Sequence, residues 1–152
     1  MGPPGIGKTC LAAFWPGTYW IPDPTEMGIM DLIDSGMVKT VNPATQVHPT
    51  MQDFNELLAL NVKIAEGRAG LPEGTKTLVY ESMKGFETFC HKTCCERSFQ
   101  GNWNDEAGGF MFFQKGYDIS ASQYWSKFML QVAELRELGF TIILTGHSRS
   151  EE

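Results

Sequence analysis

The chain has 152 residues, of which 42% are hydrophobic and 12% aromatic, which is enough apolar material for one domain over residues 1–152. Its formal net charge of −6 excludes a surface that is basic throughout, so any contact with nucleic acid has to come from a local patch. No apolar run approaches the ~20 residues that span a bilayer, and no basic-then-apolar leader is present, so we expect a cytoplasmic protein without a membrane partner.

The chain opens on a phosphate-binding motif. Residues 2–9 fit G-x-x-x-x-G-K-[ST] at every fixed position, and glycines there allow the backbone to approach phosphates closely. In such a loop Lys8 supplies positive charge to the β- and γ-phosphate oxygens, and the Thr9 hydroxyl ligates Mg²⁺. We therefore predict binding of ATP with Mg²⁺ by Gly2, Pro3, Pro4, Gly5, Ile6, Gly7, Lys8, Thr9 and Cys10.

The position of this motif is unusual. A phosphate loop normally follows a buried parallel strand, and only Met1 precedes this one. At the other end, the apolar run 140–144 leads into Thr145, Gly146 and His147 shortly before the sequence stops. We expect a partial domain, with the first strand and the C-terminal strands missing from this chain.

The first half of the chain alternates helical and strand patterns. A helix is predicted at 8–15, a strand at 18–21, a minor strand at 38–41 and a helix at 51–66 with an acidic cap near its start. The turn-rich segment 22–26 places two carboxylates, Asp23 and Glu26, just past the end of the first of these strands.

The second half continues the alternation. An apolar strand at 77–80 ends in Glu81, a cysteine-containing helix follows, and residues 98–118 are rich in Gly, Asn and aromatics, as functional loops are. A helix at about 120–138 then precedes a buried strand at 140–144. Helices between short continuous apolar runs indicate an α/β fold with a mostly parallel, covered sheet.

Cysteines cluster at Cys90, Cys94 and Cys95, with His91 between them. A zinc site is one interpretation, but side chains from one helix cannot surround a tetrahedral ion. We favour reduced thiols that continue a buried helical face with Phe86.

The strand ends supply candidate groups for hydrolysis. Glu81 stands where an acid would hold Mg²⁺ through water, and an alternative register places Tyr80 there and makes Glu81 the base. Glu26 is our preferred base over Asp23, and His147 is a candidate sensor of the γ-phosphate.

Contact with single-stranded DNA is a further hypothesis. Base stacking and phosphate pairing need aromatic and basic side chains together, although a packed or oligomer-facing loop would account for them equally well. The candidates are Lys92, Arg97, Trp103, Phe112, Phe113, Lys115 and Tyr117.

With these motifs in place, the chain resembles the RecA-like P-loop ATPases of bacteriophages, which include single-strand annealing ATPases and are often described as AAA domains. The resemblance rests on residues 2–9, 20–26, 78–87 and 139–147, and the family usually has Asp where this chain has Glu81. It implies a three-layer P-loop NTPase fold and ATP hydrolysis coupled to DNA recombination, repair or replication. It further implies single-stranded DNA as a partner, a homo-oligomer and the cytoplasm of a bacterial host.

Three functional hypotheses follow. The leading one is a phage-type ATPase that uses its nucleotide state to control assembly on DNA. The second is a nucleotide-binding scaffold or oligomerisation protein that has lost hydrolysis, because Glu81 replaces Asp. A small-molecule kinase is less favoured, since no Arg-rich lid is visible to clamp a second phosphate.

Overall fold

Strand β2 (Thr77–Glu81) is the centre of a three-stranded parallel sheet with the order β1-β2-β3. Its neighbours are β1 (Thr18–Pro22) and β3 (Thr141–Leu144). All residues of β1 and β2 are buried, as expected for apolar runs covered on both faces. The structure is a computed structural model and describes residues 6–26 and 28–146.

Helices connect and cover the strands. A 3₁₀ turn at Phe112–Gln114 precedes the sixth α-helix, and a π-helical segment at Ser120–Trp125 joins it to the seventh. The α-helices are α1 (Ile6–Ala13), α2 (Gly28–Asp34), α3 (Pro43–Gln46), α4 (Phe54–Ala65), α5 (Met83–Ser98), α6 (Lys115–Ile119) and α7 (Ser126–Glu137).

Alternate strand residues point to opposite faces of the sheet and build two cores. Leu78 and Tyr80 belong to the larger core, which α4, α5 and α7 complete. Trp20 and Val79 belong to the smaller core, which α1 and α2 cover. Helices on both faces of a parallel sheet confirm the predicted α/β fold, which is consistent with a P-loop NTPase.

The predicted strands at 18–21, 77–80 and 140–144 form to within one residue at each end. The last of them was predicted to be buried, but β3 is half-buried to exposed, with Leu144 37% exposed, because it is an edge strand of the described sheet. The helix predicted at 51–66 begins later, because the Asp53 side chain is its N-cap and accepts a hydrogen bond from the Glu56 amide at 2.9 Å. The segment predicted as a helix at 8–15 is helical from Ile6 to Ala13.

Two predicted segments are corrected. No strand forms at 38–41, because Val38 and Val41 instead insert into the smaller core. The loop predicted over 98–118 is limited to about residues 99–111, since helical structure resumes at Phe112. Burial of Phe110, which is 0% exposed, draws the surrounding aromatic rings inward and accounts for the added order.

The cysteines of α5 lie on its buried face, as the helical spacing predicts. Cys90, Cys94 and Cys95 are buried free thiols, and burial raises the pKa of the Cys90 thiol to about 12, with neighbouring Cys94 and Glu87 adding to the effect. Cys90 is therefore a neutral packing group at physiological pH. Within residues 6–26 and 28–146, no three His, Cys, Asp or Glu side chains are placed to hold a metal ion.

None of the helices in the described part of the chain combines the length and apolar character needed to cross a bilayer.

Candidate functional site

The carboxyl ends of the three strands meet at one edge of the sheet. Pro22 is level with Glu81 in the β1–β2 register, and Tyr80 is level with Leu144 in the β2–β3 register. Backbone bonds extend the ladder past the strand ends: the Asp23 amide donates to the Glu81 carbonyl at 2.5 Å. Every polar group that follows a strand is therefore brought to the edge where open α/β sheets bind ligands.

Helix α1 presents the described part of the predicted phosphate motif to this edge. The Lys8 ammonium donates to the Gly146 carbonyl beyond β3, and the Thr9 hydroxyl donates to Glu81 Oε1. Thr9 is 1% exposed and Glu81 3% exposed, so this contact is sealed from solvent. The remaining motif residues Gly2, Pro3, Pro4 and Gly5 and the side chain of Ile6 lie outside the described residues.

Cys10 was predicted to help bind the nucleotide. It is half-buried and packs against the smaller core, so α1 holds its side chain on the sheet side of the helix. Its contribution to nucleotide binding, like that of Lys8 and Thr9, stays a prediction.

Three side-chain oxygens converge at the start of α2. A Cβ atom placed on Gly28 would lie 3.2 Å from Glu26 Oε1, 3.3 Å from Thr9 Oγ1 and 3.6 Å from Glu81 Oε1. The structure thus brings together three residues that the sequence analysis had predicted separately. Gly28 itself was not predicted, and its position after Glu26 was the only available signal.

Asp23 has a different role from the neighbouring Glu26. Its buried carboxylate accepts bonds from the Ser82 amide at 2.8 Å and hydroxyl at 3.0 Å, and from the Thr25 amide at 2.7 Å and hydroxyl at 2.6 Å. One oxygen, Oδ2, therefore joins the ends of β1 and β2 through Ser82, and the other, Oδ1, is occupied by Thr25 of the same turn. The geometry favours Glu26 over Asp23 as a group that faces a ligand.

Gly85 on α5 makes this junction possible. A Cβ atom at Gly85 would lie 2.1–2.4 Å from the Asp23 carboxylate atoms, well inside contact distance. We expect Gly85→Ala to lower the free energy of unfolding by about 1–3 kcal/mol, as overpacking of a close contact does. Urea unfolding of this variant beside Lys84→Ala, an exposed neighbour, measures the effect, and equal stability of the two variants would contradict it.

Tyr80 and Glu81 point to opposite sides of β2. Tyr80 Oη donates to Asn61 Oδ1 at 2.6 Å, and its ring packs edge-on against Phe128 with centroids 5.4 Å apart. Tyr80 is thus a core residue, and burial raises its pKa. Glu81 is the residue that reaches Thr9, which favours the register with Glu81 at the metal-side position.

His147, the predicted γ-phosphate sensor, lies outside the described residues. The described chain reaches Gly146, whose carbonyl accepts the Lys8 bond. The end of β3 therefore contacts the phosphate motif directly.

A pocket of about 580 Å³ adjoins Glu26. One wall is the turn from Asp23 to Glu26, and the other is a face of α5 that carries Lys84, Phe89 and Lys92. Neither lysine forms an ion pair with another described residue. Phe89 was predicted for the buried face of this helix and is partly buried against the larger core. Lys84 was not singled out from the sequence, although Lys84, Thr88 and Lys92 recur at four-residue spacing and mark one helical face.

The candidate DNA-contacting residues separate into two groups. Trp103 and Tyr117 pack on Phe110, with centroid distances of 4.7 and 5.1 Å, and Phe113 is 85% exposed. Arg97 is drawn away, since it donates to Asn55 Oδ1 at 3.1 Å. Trp103 and Tyr117 thus share Phe110 as a neighbour, whereas Phe112 and Phe113 contact each other, with centroids 4.5 Å apart, and a DNA-contacting role for these residues stays a prediction.

Comparison with known proteins gives one match. A protein-family model described as an AAA domain matches residues 1–152. No curated protein and no solved structure matches the chain.

Proposed function

Because the chain belongs to the AAA domain family of P-loop ATPases, we propose that it binds MgATP at the carboxyl edge of its sheet and hydrolyses it. The observation that carries the proposal is the convergence of Thr9, Glu26 and Glu81 oxygens around Gly28 beside Lys8. Lys8 neutralises phosphate oxygens, and Glu26 accepts a proton from the attacking water.

The residues present fit a magnesium ion. Mg²⁺ prefers hard oxygen ligands and keeps several waters and substrate phosphate oxygens, so one hydroxyl and nearby carboxylates suffice from the protein. Thr9 would ligate the ion and Glu81 would hold it through water. When bound, the ion supplies charge neutralisation at the phosphates. His147, which follows the end of β3, is proposed from the sequence as the γ-phosphate sensor.

We also propose that hydrolysis is coupled to DNA recombination, repair or replication on single-stranded DNA, as in the phage ATPases that the chain resembles. The pocket next to Glu26 supports this, because Lys84 and Lys92 are about 12 Å apart on one helical face. In a chain of net charge −6, these two lysines form no ion pair within the described residues and offer a local positive face to a polyanion, whose phosphates would lie on the lysine side, away from the Asp23 and Glu26 carboxylates. A ligand there would touch the turn that carries Glu26.

Nucleotide-controlled assembly into a homo-oligomer is part of the same proposal. Shortly after Lys8 and Thr9, the side chains of Leu11 on α1 and of Phe14 just past its end are 60% and 79% exposed. Apolar side chains beside a nucleotide site are suited to a subunit contact that changes with the bound nucleotide.

The proposal is tested by measuring ATP turnover with Mg²⁺, with and without an unstructured oligodeoxynucleotide. We expect turnover that rises when the oligonucleotide is added. MgATP binding measured by calorimetry in parallel separates the two parts. MgATP binding without any turnover would contradict the proposed ATPase activity. Turnover that is unchanged by the oligonucleotide would contradict the proposed coupling to DNA.

A second candidate is a nucleotide-binding scaffold without hydrolysis. The observation that favours it is Glu81, whose extra methylene moves the carboxylate by about 1.5 Å relative to Asp and which contacts the Thr9 hydroxyl directly. Mg²⁺ tolerates little geometric error, so this shift can abolish turnover while binding persists.

The Glu81→Asp variant separates the two candidates. A scaffold predicts no turnover in the unmodified protein and measurable turnover in Glu81→Asp, whereas an enzyme predicts turnover in the unmodified protein that depends on Lys8. Glu73→Asp, in the turn before β2 at the opposite end of the sheet, is the matched control. The enzyme fails if Glu81→Asp gains no turnover and Lys8→Ala changes none.

A further inference from the structure

A second, smaller pocket of about 270 Å³ lies between α5 and the π-helical segment. It shares no residue with the cluster around Gly28. Cys90 and Ser120, both 1% exposed, lie among its lining residues, while Glu87 at the same pocket is largely exposed. The remaining lining residues are His91, Tyr117, Ala121 and Trp125.

The Ser120 hydroxyl is the unusual group in this pocket. Its Oγ atom is buried and has no hydrogen-bond partner among residues 6–26 and 28–146. The Ser120 carbonyl, by contrast, is engaged by the Cys90 thiol at 3.7 Å. A buried hydroxyl without a partner opposes folding, and π-helical segments such as Ser120–Trp125 occur often at functional sites. A ligand that hydrogen-bonds Ser120 accounts for both features.

The pocket walls are aromatic and held in place by other rings. His91 and Tyr117 meet edge-on with centroids 5.0 Å apart, and Tyr117 in turn packs on Phe110. Trp125 stacks on Phe54, with centroids 6.2 Å apart and an interplanar angle of 19°. Burial lowers the pKa of His91, outweighing the opposite effect of Glu87, so its ring is neutral near pH 7 and offers one donor and one acceptor.

These features define the class of ligand. Aromatic walls favour a planar ring, while Ser120, His91 and the Glu87 carboxylate together offer both donors and acceptors. The volume is below the ~300 Å³ typical of drug-sized ligands, so it suits one heterocycle and not a whole nucleotide. A carboxylate at the pocket also disfavours a phosphate group inside it.

We propose that this pocket receives one nucleobase of a single-stranded nucleic acid. The inference rests on the proposed DNA coupling and names the residues that read a base. Exposed Lys115 lies two residues before Tyr117, and exposed Lys92 follows His91 and also lines the pocket beside Glu26. Neither forms an ion pair with a described residue, so both are offered as contacts for the sugar-phosphate backbone. Stacking of bases on aromatic rings beside a basic track is the usual mode of single-strand binding.

The test compares three variants for binding of fluorescein-labelled dA15, dC15 and dT15, and of the free nucleosides. Ser120→Ala removes only the unpartnered hydroxyl, so we expect binding to weaken by about 3- to 10-fold while the melting temperature stays the same or rises. Ala121→Leu places bulk at the exposed rim of the pocket, and we expect a loss of at least about 10-fold.

Ser122→Ala is the matched control, because Ser122 is exposed, does not line the pocket and donates only to the Asp118 carbonyl at 2.8 Å. Unchanged binding in both pocket variants overturns the proposal, as does a protein that binds neither oligonucleotides nor nucleosides. Binding of nucleosides alone, weakened by both pocket variants, supports a base pocket and assigns a free nucleoside as its ligand. The nucleotide site is tested separately, by measuring MgATP binding and its loss in Lys8→Ala. Failure of the base pocket can therefore be distinguished from failure of the proposed nucleotide site.

Discussion

Replacement of Glu26 by glutamine is expected to lower ATP turnover by about 100- to 10,000-fold, the usual contribution of a general base, while MgATP binding changes little. The Glu26 carboxylate lies with Thr9 and Glu81 oxygens around Gly28, where it can take a proton from water that attacks the γ-phosphate. An amide keeps the size of the side chain and loses its basicity. Steady-state turnover and calorimetric titration of the same preparation measure the two quantities.

Two further variants isolate this effect. Glu73→Gln, at the opposite end of the sheet, should retain full turnover. Asp23→Asn should instead lower stability, because two of the hydrogen bonds that Asp23 accepts join the strand ends through Ser82 and the other two hold the turn at Thr25. If Glu26→Gln turns over ATP at the unmodified rate, the base is another group.

The Lys8→Ala variant is expected to weaken MgATP binding by about 10- to 100-fold or more, the effect of losing a charge-assisted contact to phosphate, and to abolish turnover. The Lys8 ammonium reaches the Gly146 carbonyl across the strand ends, so it already points to the edge where the nucleotide would bind. Titration of MgATP and MgADP by calorimetry measures the change directly.

Lys39→Ala is the control for this prediction, since Lys39 is exposed in the segment between α2 and α3 and carries the same charge. The control should bind MgATP as tightly as the unmodified protein, which excludes an effect of net charge alone. Equal affinity of Lys8→Ala and the unmodified protein would remove the phosphate site on which the proposed function depends.

In the proposed function, α5 would connect the DNA and nucleotide sites, because both proposed sites lie along this helix. The helix begins at Met83, directly after Glu81 and Ser82, and its next turns carry both the basic face and the base pocket. A strand bound along α5 would therefore contact the helix whose start is tied to Asp23 through Ser82. Coupling between the proposed DNA and nucleotide sites would need no long path, because α5 lies beside both of them.

Local patterns predicted much of this molecule. The spacing of Gly7, Lys8 and Thr9 indicated a phosphate motif, and short apolar runs placed three strands to within one residue. The motif and the strands could be recognised because each depends on residues that are close together in the chain. The prediction of a strand at 38–41 was wrong because it also relied on a local pattern. Val38 and Val41 are apolar residues of the smaller core, and a short apolar run of this kind cannot be distinguished from a strand by its sequence.

The sequence by itself determined the α/β fold, the phosphate motif and the carboxylates that follow the strands. Only the tertiary structure decided which atoms each carboxylate contacts. Asp23 and Glu26 both supply a carboxylate just after β1. The structure shows that Asp23 accepts hydrogen bonds from Ser82 and Thr25, whereas Glu26 lies near Thr9 at Gly28. The sequence also could not show that the Ser120 hydroxyl lacks a hydrogen-bond partner among the described residues. Whether a polar group is hydrogen-bonded depends on atoms that folding brings together from distant parts of the chain.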